Sequence, residues 1–245
     1  MKYLSILIFI FLNLSADEKK ESVTVGAGLY IQTQPYQDVE SLLLPSPVIF
    51  FDNSIFYARW TRFGVYFLGE KQDNYAWAFS LTAMPRTYGY QSSDIENMKE
   101  RENSWEGGIS FSAKFKDSYI EIMALTDILD REDSYVLKTD IGYDFKISSF
   151  SFYPSISVIY QSPSFTNYYY GVKESETTLL RKSYSADSGY QVAIQTYISY
   201  PFTKNFSTLL NIKADRLSHE AISSPIVEDR YIYSGLLSLL YNFEY

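Results

Sequence analysis

Apolar side chains alternate with small or polar ones through the C-terminal segment Tyr231–Tyr245. One face of this segment is aromatic at both ends and aliphatic in the middle; counted back from the end it reads Tyr245, Phe243, Tyr241, Leu239, Leu237, Gly235, Tyr233, Tyr231. Aromatic rings favour the two interfaces of a bilayer and aliphatic groups favour its hydrocarbon. We therefore predict a lipid-facing strand of an outer-membrane barrel, in preference to a strand of a soluble sandwich.

The same period of two recurs along the chain and predicts an all-β protein, a transmembrane antiparallel up-and-down β-barrel. It gives about twelve strands, or about ten if the short segments from Pro45 to Gly69 do not count separately. Pro45 and Pro47 suit the first residues of their strand. The predicted strands before the last are Ser22–Gln32, Pro45–Phe51, Ser54–Trp60, Arg62–Gly69, Tyr75–Met84, Trp105–Phe115, Ser118–Thr126, Tyr135–Lys146, Phe150–Tyr160, Tyr190–Tyr200 and Phe206–Leu217.

The connections between these segments alternate in length, as in barrels with short periplasmic turns and long outer loops. The predicted tight turns are Asp52-Asn53, Lys116-Asp117, Ser148-Ser149 and Thr203-Lys204. The predicted outer loops are Thr33–Leu44, Pro85–Ser104, Asp127–Ser134, Gln161–Gly189 and Ser218–Arg230. An even number of strands places both chain ends on the periplasmic side.

The N-terminus predicts export. Lys2 gives a positive start, Tyr3–Leu14 is an apolar run too short to span a bilayer, and Ser15-Ala16 is a small pair followed by charged residues. We interpret residues 1–16 as a signal peptide, in preference to an anchor helix, and residues 17–245 as one barrel domain in the bacterial outer membrane.

Composition agrees with a barrel and limits the classes of molecule that the protein could bind. Aromatic residues make up 18% of the chain, with 24 Tyr and 17 Phe, and tyrosine suits membrane interfaces. The net charge of −8 disfavours a nucleic-acid partner. Cysteine is absent, which a closed barrel tolerates because every strand edge is already paired. The expected surroundings are outer-membrane lipid and lipopolysaccharide.

Charged residues fall on the faces opposite the apolar ones. Inside hydrocarbon each would cost a few kcal/mol, so we expect them in the lumen or at a rim. They either pair across a narrow lumen and brace the barrel, which we favour, or line a pore. The candidates are Arg59, Arg62, Glu70, Glu106, Lys114, Glu121, Lys138, Asp140, Asp144, Lys146, Lys213 and Asp215.

Few residues suggest catalysis or cofactor binding. His219, the only histidine, lies beside Ser218, but neighbours on an extended strand point to opposite faces and form no dyad easily. We expect no enzyme, no cofactor and no metal site. The acidic residues of two outer loops are interpreted as solvated, with calcium binding as the alternative; they are Asp94, Glu96, Glu100, Glu102, Asp127, Asp130, Glu132 and Asp133.

The loop Gln161–Gly189 is rich in tyrosine, at Tyr168, Tyr169, Tyr170 and Tyr184. Such rings either fold back over the barrel mouth or recognise a partner, and we expect the first.

Several segments resemble the MipA/OmpV family of outer-membrane proteins. They are GAGLYIQTQPY in the first strand, LLLPSPVIFFD, the loop segments TNYYYGV and SYSADSGY, and SSPIVEDRYIYSGLLSLLYNFEY at the end. The sharpest matches are Tyr169, Tyr170, Gly171 and Val172, and Ser224, Pro225, Ile226 and Val227. The resemblance carries over no catalytic residue, and a structural turn is the favoured role for Ser224–Val227.

The resemblance implies a scaffold that works with a lytic transglycosylase or other periplasmic murein enzymes. A surface adhesin and a small-solute pore remain open as alternatives. An interaction protein should conduct little in planar bilayers, whereas a pore should conduct steadily.

Overall fold

The computed structural model describes residues 22–244, and the predicted signal peptide and Tyr245 lie outside them. The strands are β1 Ser22–Gln32, β2 Leu42–Asp52, β3 Phe56–Arg59, β4 Arg62–Lys71, β5 Tyr75–Arg86, β6 Ser104–Phe115, β7 Ser118–Asp127, β8 Tyr135–Tyr143, β9 Phe145–Ile147, β10 Phe150–Gln161, β11 Gly189–Pro201, β12 Phe206–Arg216 and β13 Tyr231–Glu244. β9 continues β8 after a break at Asp144, and both pair with β10. Within the described range the wall therefore has twelve antiparallel strands, which confirms the larger of the two predicted numbers.

The barrel closes between its first and last strands. β1 pairs with β13 along its whole length, from Ser22 opposite Glu244 to Gln32 opposite Ser234. Closure leaves no open sheet edge between the chain ends, where unpaired backbone groups would lie in hydrocarbon.

The outer surface of the wall is apolar, as the alternation predicts. Ile141, Ile156, Ile194 and Leu239 point outward and are more than half exposed. Phe79 and Phe111, also predicted to face lipid, pack against each other with ring centroids 5.0 Å apart. Aromatic pairs of this kind recur near the ends of the strands, for example Phe206 with Tyr241.

One predicted face is wrong because β4 contains a bulge. The register of β4 against β5 shifts between Tyr66 and Leu68, which reverses the alternation below this point. Glu70 is therefore opposite Trp77, on the outer face at the periplasmic end, instead of in the lumen. There it accepts hydrogen bonds from Gln72 and Tyr75.

β2 begins earlier than predicted, at Leu42, so Pro45 and Pro47 lie inside the strand and not at its start. β2 pairs with β1 from Leu42 to Phe51 but with the short β3 only from Phe50 to Asp52. The prolines are tolerated because they lie on the stretch of β2 that has no partner on the β3 side.

The outer loops carry short helices that the alternation did not predict. α1, Pro163–Tyr170, follows β10, and its N-cap Ser162 accepts a hydrogen bond from the backbone N–H of Phe165. α2, His219–Ile222, follows β12 and is capped in the same way by Ser218. No helix in residues 22–244 is long and apolar enough to cross a membrane.

Candidate functional site: the lumen and its outer cap

The periplasmic end of the lumen is polar and open to water. Arg59 contacts Asp52 at 3.2 Å and donates a hydrogen bond to the hydroxyl of Tyr66 at 2.7 Å, and Lys114 is ion-paired with Asp144. These side chains keep substantial exposure. Screened, exposed pairs of this kind add little to stability.

Charges deeper in the barrel are mostly buried and paired. Arg62 on β4 binds Glu121 on β7 with both terminal nitrogens, one at 2.8 Å, and Ser110 donates to the same carboxylate at 3.0 Å. The guanidinium also lies 5.3 Å from the ring centre of Tyr57. A planar guanidinium held by two bonds is a rigid bridge across the polar side of the lumen.

Two further pairs of predicted lumen charges each lie within a single strand. Lys138 lies 3.0 Å from Asp140, which also accepts a hydrogen bond from Ser157. Lys213 lies 2.8 Å from Asp215. Asp215 in turn accepts a hydrogen bond from Gln191 at 2.8 Å. Lys146, opposite Ser151, is exposed near the periplasmic end.

The other side of the lumen is apolar. The inward faces of β2, β12 and β13 contribute a cluster that we name the lumen cluster, made of Val48, Leu209, Leu236 and Leu240 with Tyr30, Phe50, Trp60 and Tyr197 packed against it. Leu236 and Leu240 were visible in the sequence as apolar residues on the inward face of the last strand. A water-filled pore would be lined by polar groups, whereas Val48 and Leu236 here are fully buried by the side chains around them.

The outer mouth is covered by loops that fold back into the barrel, which we name the cap. Phe165, Tyr169 and Tyr170 of α1 are fully buried, so the expected fold-back of the tyrosine-rich loop is confirmed. They pack with buried residues from the outer loops and from the strands below them: Tyr36, Tyr90, Ile95, Met98, Met123, Leu125, Val136, Ile159, Val172, Leu217, Ala221, Ile226 and Ile232. Burial raises the pKa of Tyr170 well above its usual value, so its hydroxyl stays neutral.

The two sharpest sequence motifs meet in this cap. Ser224 donates a hydrogen bond to the carbonyl of Tyr170 at 2.5 Å, and Val172 exchanges backbone hydrogen bonds with Tyr184. Gly171 ends α1 where a Cβ would lie 2.3 Å from the carbonyl oxygen of Asn167, too close for any side chain.

The second motif also reaches the loop after β1. Ile226 is buried, and its carbonyl accepts a hydrogen bond from the N–H of Gln37 at 3.1 Å. Val227 bridges to Tyr36, and Pro225 lies exposed between these contacts. Ser224–Val227 is therefore a structural turn that joins three loops.

A buried arginine that the sequence did not single out anchors the cap to the wall. Arg86, only 2% exposed, donates to Glu106 at 2.8 Å and pairs with Glu132 from the loop after β7. Its guanidinium also lies 4.6 Å from the ring centre of Phe165. Glu132 was predicted to be solvated; it is buried because it reaches inward to Arg86.

Desolvation raises the pKa of Glu132 to about 7, because burial and the nearby carboxylates of Asp127 and Glu106 together outweigh the attraction of Arg86. Its Oε2 has no hydrogen-bond partner among the described residues. Within the cap, Glu132 is therefore a carboxylic acid that changes protonation near neutral pH.

A second buried pair joins the loop after β5 to the loop after β10. Arg101 donates to both carboxylate oxygens of Glu176, at 3.0 and 2.9 Å. Burial alone would raise the pKa of Glu176, but the hydrogen bonds from Arg101 and from the N–H of Lys173 outweigh it and lower the pKa. This pair has one arginine for one carboxylate, unlike the Arg86 site.

His219 and the other loop acids form no site of their own. His219 is exposed as the first residue of α2, and the Ser218 hydroxyl beside it caps that helix. Asp127 accepts backbone hydrogen bonds that shape its turn, and Glu102 pairs with Arg131 at the surface. In residues 22–244 no three His, Cys, Asp or Glu side chains are grouped to hold a metal ion.

Comparisons with known proteins place the chain in a family. The family model for MltA-interacting protein MipA matches residues 25–243. The MltA-interacting protein of Escherichia coli K12 is 24% identical over 245 residues, covering 97% of this chain and 96% of that protein. The outer membrane protein Omp26La of Vibrio anguillarum is 25% identical over 163 residues, covering 66% and 63%.

Among solved structures, the NanC porin covers 90% of this chain and 98% of its own, with 11% identity and a TM-score of 0.42. The match to the family model extends over nearly the whole described barrel and includes both cap motifs. The chain belongs to the MipA family of outer-membrane proteins.

Proposed function

We propose that this protein is a non-enzymatic interaction protein of the outer membrane, a scaffold for a peptidoglycan-remodelling lytic transglycosylase in the periplasm. The observation that carries the proposal is the dense side-chain packing in the lumen and at its outer mouth. The cap buries three rings of α1 in the outer mouth, and the lumen cluster and the Arg62–Glu121 bridge lie below it. Such packing favours a rigid platform over a solute path.

The name of one relative, the MltA-interacting protein of Escherichia coli K12, supports this class of partner. A periplasmic enzyme can reach only the periplasmic rim. In the described residues this rim consists of short turns that carry exposed charges, such as Asp73 and Asp117. Electrostatic complementarity at such a surface would set orientation and association rate.

Binding of the purified lytic transglycosylase to the barrel in nanodiscs tests the proposal. We expect saturable binding to wild type that weakens in the Asp73→Lys, Asp117→Lys double variant, because both carboxylates face the periplasm. The matched control is Glu100→Lys with Asp133→Lys, a like change in charge on exposed outer loops. Absence of binding to wild type, or equal loss in the control, would contradict the scaffold.

The adhesin alternative has one specific observation in its favour. Leu179 and Leu180, at the tip of the loop after α1, are 105% and 98% exposed. Two fully exposed leucines on the cell surface could contact another cell or molecule. If Leu179→Ser with Leu180→Ser lowers surface attachment while transglycosylase binding is unchanged, the outer loops have a binding role of their own.

A further inference from the structure

The wall of the barrel has a gap on the β3 side of β2. β2 is paired with β1 up to Leu42, but β3 stops at Arg59. The last backbone hydrogen bond on that side of β2 runs from the N–H of Trp60 to the carbonyl of Ile49, at 2.8 Å. Between Leu42 and Val48, no described strand pairs with this edge of β2.

The edge lies at the level of the hydrocarbon band. Across the sheet, Pro47 and Pro45 of β2 lie opposite two residues of β1 that in turn lie opposite Leu239 and Leu237 of β13. Leu239 and Leu237 face lipid. The free stretch begins at Leu42, the outer end of β2, and stops before Phe50, so the gap lies in the outer half of the wall.

The two prolines fit an edge that faces an apolar medium. Because the carbonyl of Ile49 points toward β3, the backbone polar groups of Leu43, Pro45 and Pro47 point the same way. Proline has no N–H, so two of the three donors on this edge are absent. A strand of another molecule could not complete its ladder here, which argues against edge-to-edge pairing of two copies.

The lumen behind the gap is also apolar. Leu44 is opposite Tyr30 on the inward face, yet it is 47% exposed, because β2 has no neighbour on that side. Next to it lies the lumen cluster, where Trp60 packs edge-on against Tyr30 with ring centroids 5.5 Å apart.

Two hydrogen bonds mark the lower and upper limits of the gap. Below, the indole N–H of Trp60 donates to the hydroxyl of Ser46 at 2.8 Å and ties the β3–β4 turn to β2. Above, the side chain of Gln32 donates to the carbonyl of Thr87 at 2.8 Å, where the chain leaves β5 and crosses toward β1. Protein thus frames the opening below and above, and the side chains that line it are mainly apolar, with the carbonyls of Leu43, Pro45 and Pro47 along its β2 edge.

We propose that this gap is a lateral opening that admits an acyl chain of an outer-leaflet lipid, which lies between Leu44 and Trp60 against the lumen cluster. The occupant is an acyl chain because prolines hold two of the three N–H positions on this edge, the side chains that line the gap are apolar and the gap faces the bilayer. In this proposal the barrel binds lipid through its wall while its mouth stays capped.

Fluorescence quenching by brominated-chain phospholipids tests the opening. With Trp77→Phe and Trp105→Phe, Trp60 is the only tryptophan; the control adds Trp60→Phe and Tyr197→Trp, which places the ring in the same cluster but behind the fully paired β11. We expect bromolipid to quench Trp60 strongly, and the ring at position 197 weakly, in the full chain in bilayers.

Three results would overturn the proposal. Equal quenching at both positions would show that the gap gives no special access. Quenching of Trp60 by aqueous iodide but not by bromolipid would mean that the gap holds water. Shielding of Trp60 from both quenchers would mean that protein covers it, and crosslinked dimers would then identify a second copy.

Discussion

The hydroxyl of Ser224 donates a hydrogen bond to the backbone carbonyl of Tyr170, 2.5 Å away, and joins two outer loops whose residues are 54 positions apart. Both partners are buried. This single bond connects the turn after α2 to the end of α1, and with it the two most recognisable motifs of the chain become one structure over the barrel mouth.

Replacing Ser224 with alanine should destabilise the cap. The buried carbonyl of Tyr170 would lose this donor, which costs about 1–3 kcal/mol. Limited proteolysis of the loop between β10 and β11, with urea unfolding in lipid vesicles, would measure the effect. Ser223→Ala is the matched control, because that serine is exposed and its hydroxyl donates to the carbonyl of His219 in its own short helix. Equal protease resistance in the two variants would contradict the role of Ser224.

The cap should loosen as pH rises through neutrality. The folded-state pKa of Glu132 is about 7 against an ordinary 4.5, so its stabilising contribution is complete below pH 4.5 and is lost as pH rises through 7. Proteolysis of the cap should therefore be faster at about pH 8 than at about pH 5.

Glu132→Gln should remove this dependence, because the amide stays neutral. Glu176→Gln is the opposing control: the pKa of Glu176 is lowered, so its contribution is present above the ordinary pKa and lost as pH falls. An unchanged pH profile in Glu132→Gln would show that another group controls the cap.

The Arg62–Glu121 bridge should matter far more than pairs at the periplasmic end. Arg62→Gln leaves a buried carboxylate without its main partner, since Arg59 approaches it only to 3.9 Å, and should cost about 3–5 kcal/mol. Lys114→Gln, which breaks the exposed pair with Asp144, should cost about 0–1 kcal/mol. Chemical unfolding in the same lipid would compare them, and similar losses would mean that water reaches the bridge.

Arginine at Ile194 should destabilise the barrel by about 2–4 kcal/mol if the residue lies near the bilayer midplane. Ile194 is exposed on the lipid-facing side of β11. Leu180→Arg provides the control, because Leu180 is more exposed but belongs to an outer loop. The folded fraction after heating, read from gel mobility, would separate the two, and a neutral Ile194→Arg would mean that the face is assigned wrongly.

Strand positions could be predicted because each strand repeats a local period of two. The bulge after Tyr66 was not predictable in this way, since it depends on how β4 pairs with β5. Because the bulge was missed, the predicted face of Glu70 was wrong. The unpaired edge of β2 also depends on a neighbour, because it exists only where β3 is short.

The cap was harder to predict because its contacts join distant loops. Arg86 and Glu132 are 46 positions apart, and Arg101 and Glu176 are 75 apart, with no periodic signal linking either pair. The tyrosines of α1 were noticed through composition, but only the fold shows them packed under the turn that contains Ser224.

Single-channel recording of the wild-type protein in planar bilayers tests the central proposal most directly. A capped barrel with an apolar lumen cluster should give no steady current, and Arg59→Gln or Asp140→Asn should not create one. Large, steady wild-type currents whose ion selectivity follows those two substitutions would contradict the scaffold and establish a pore.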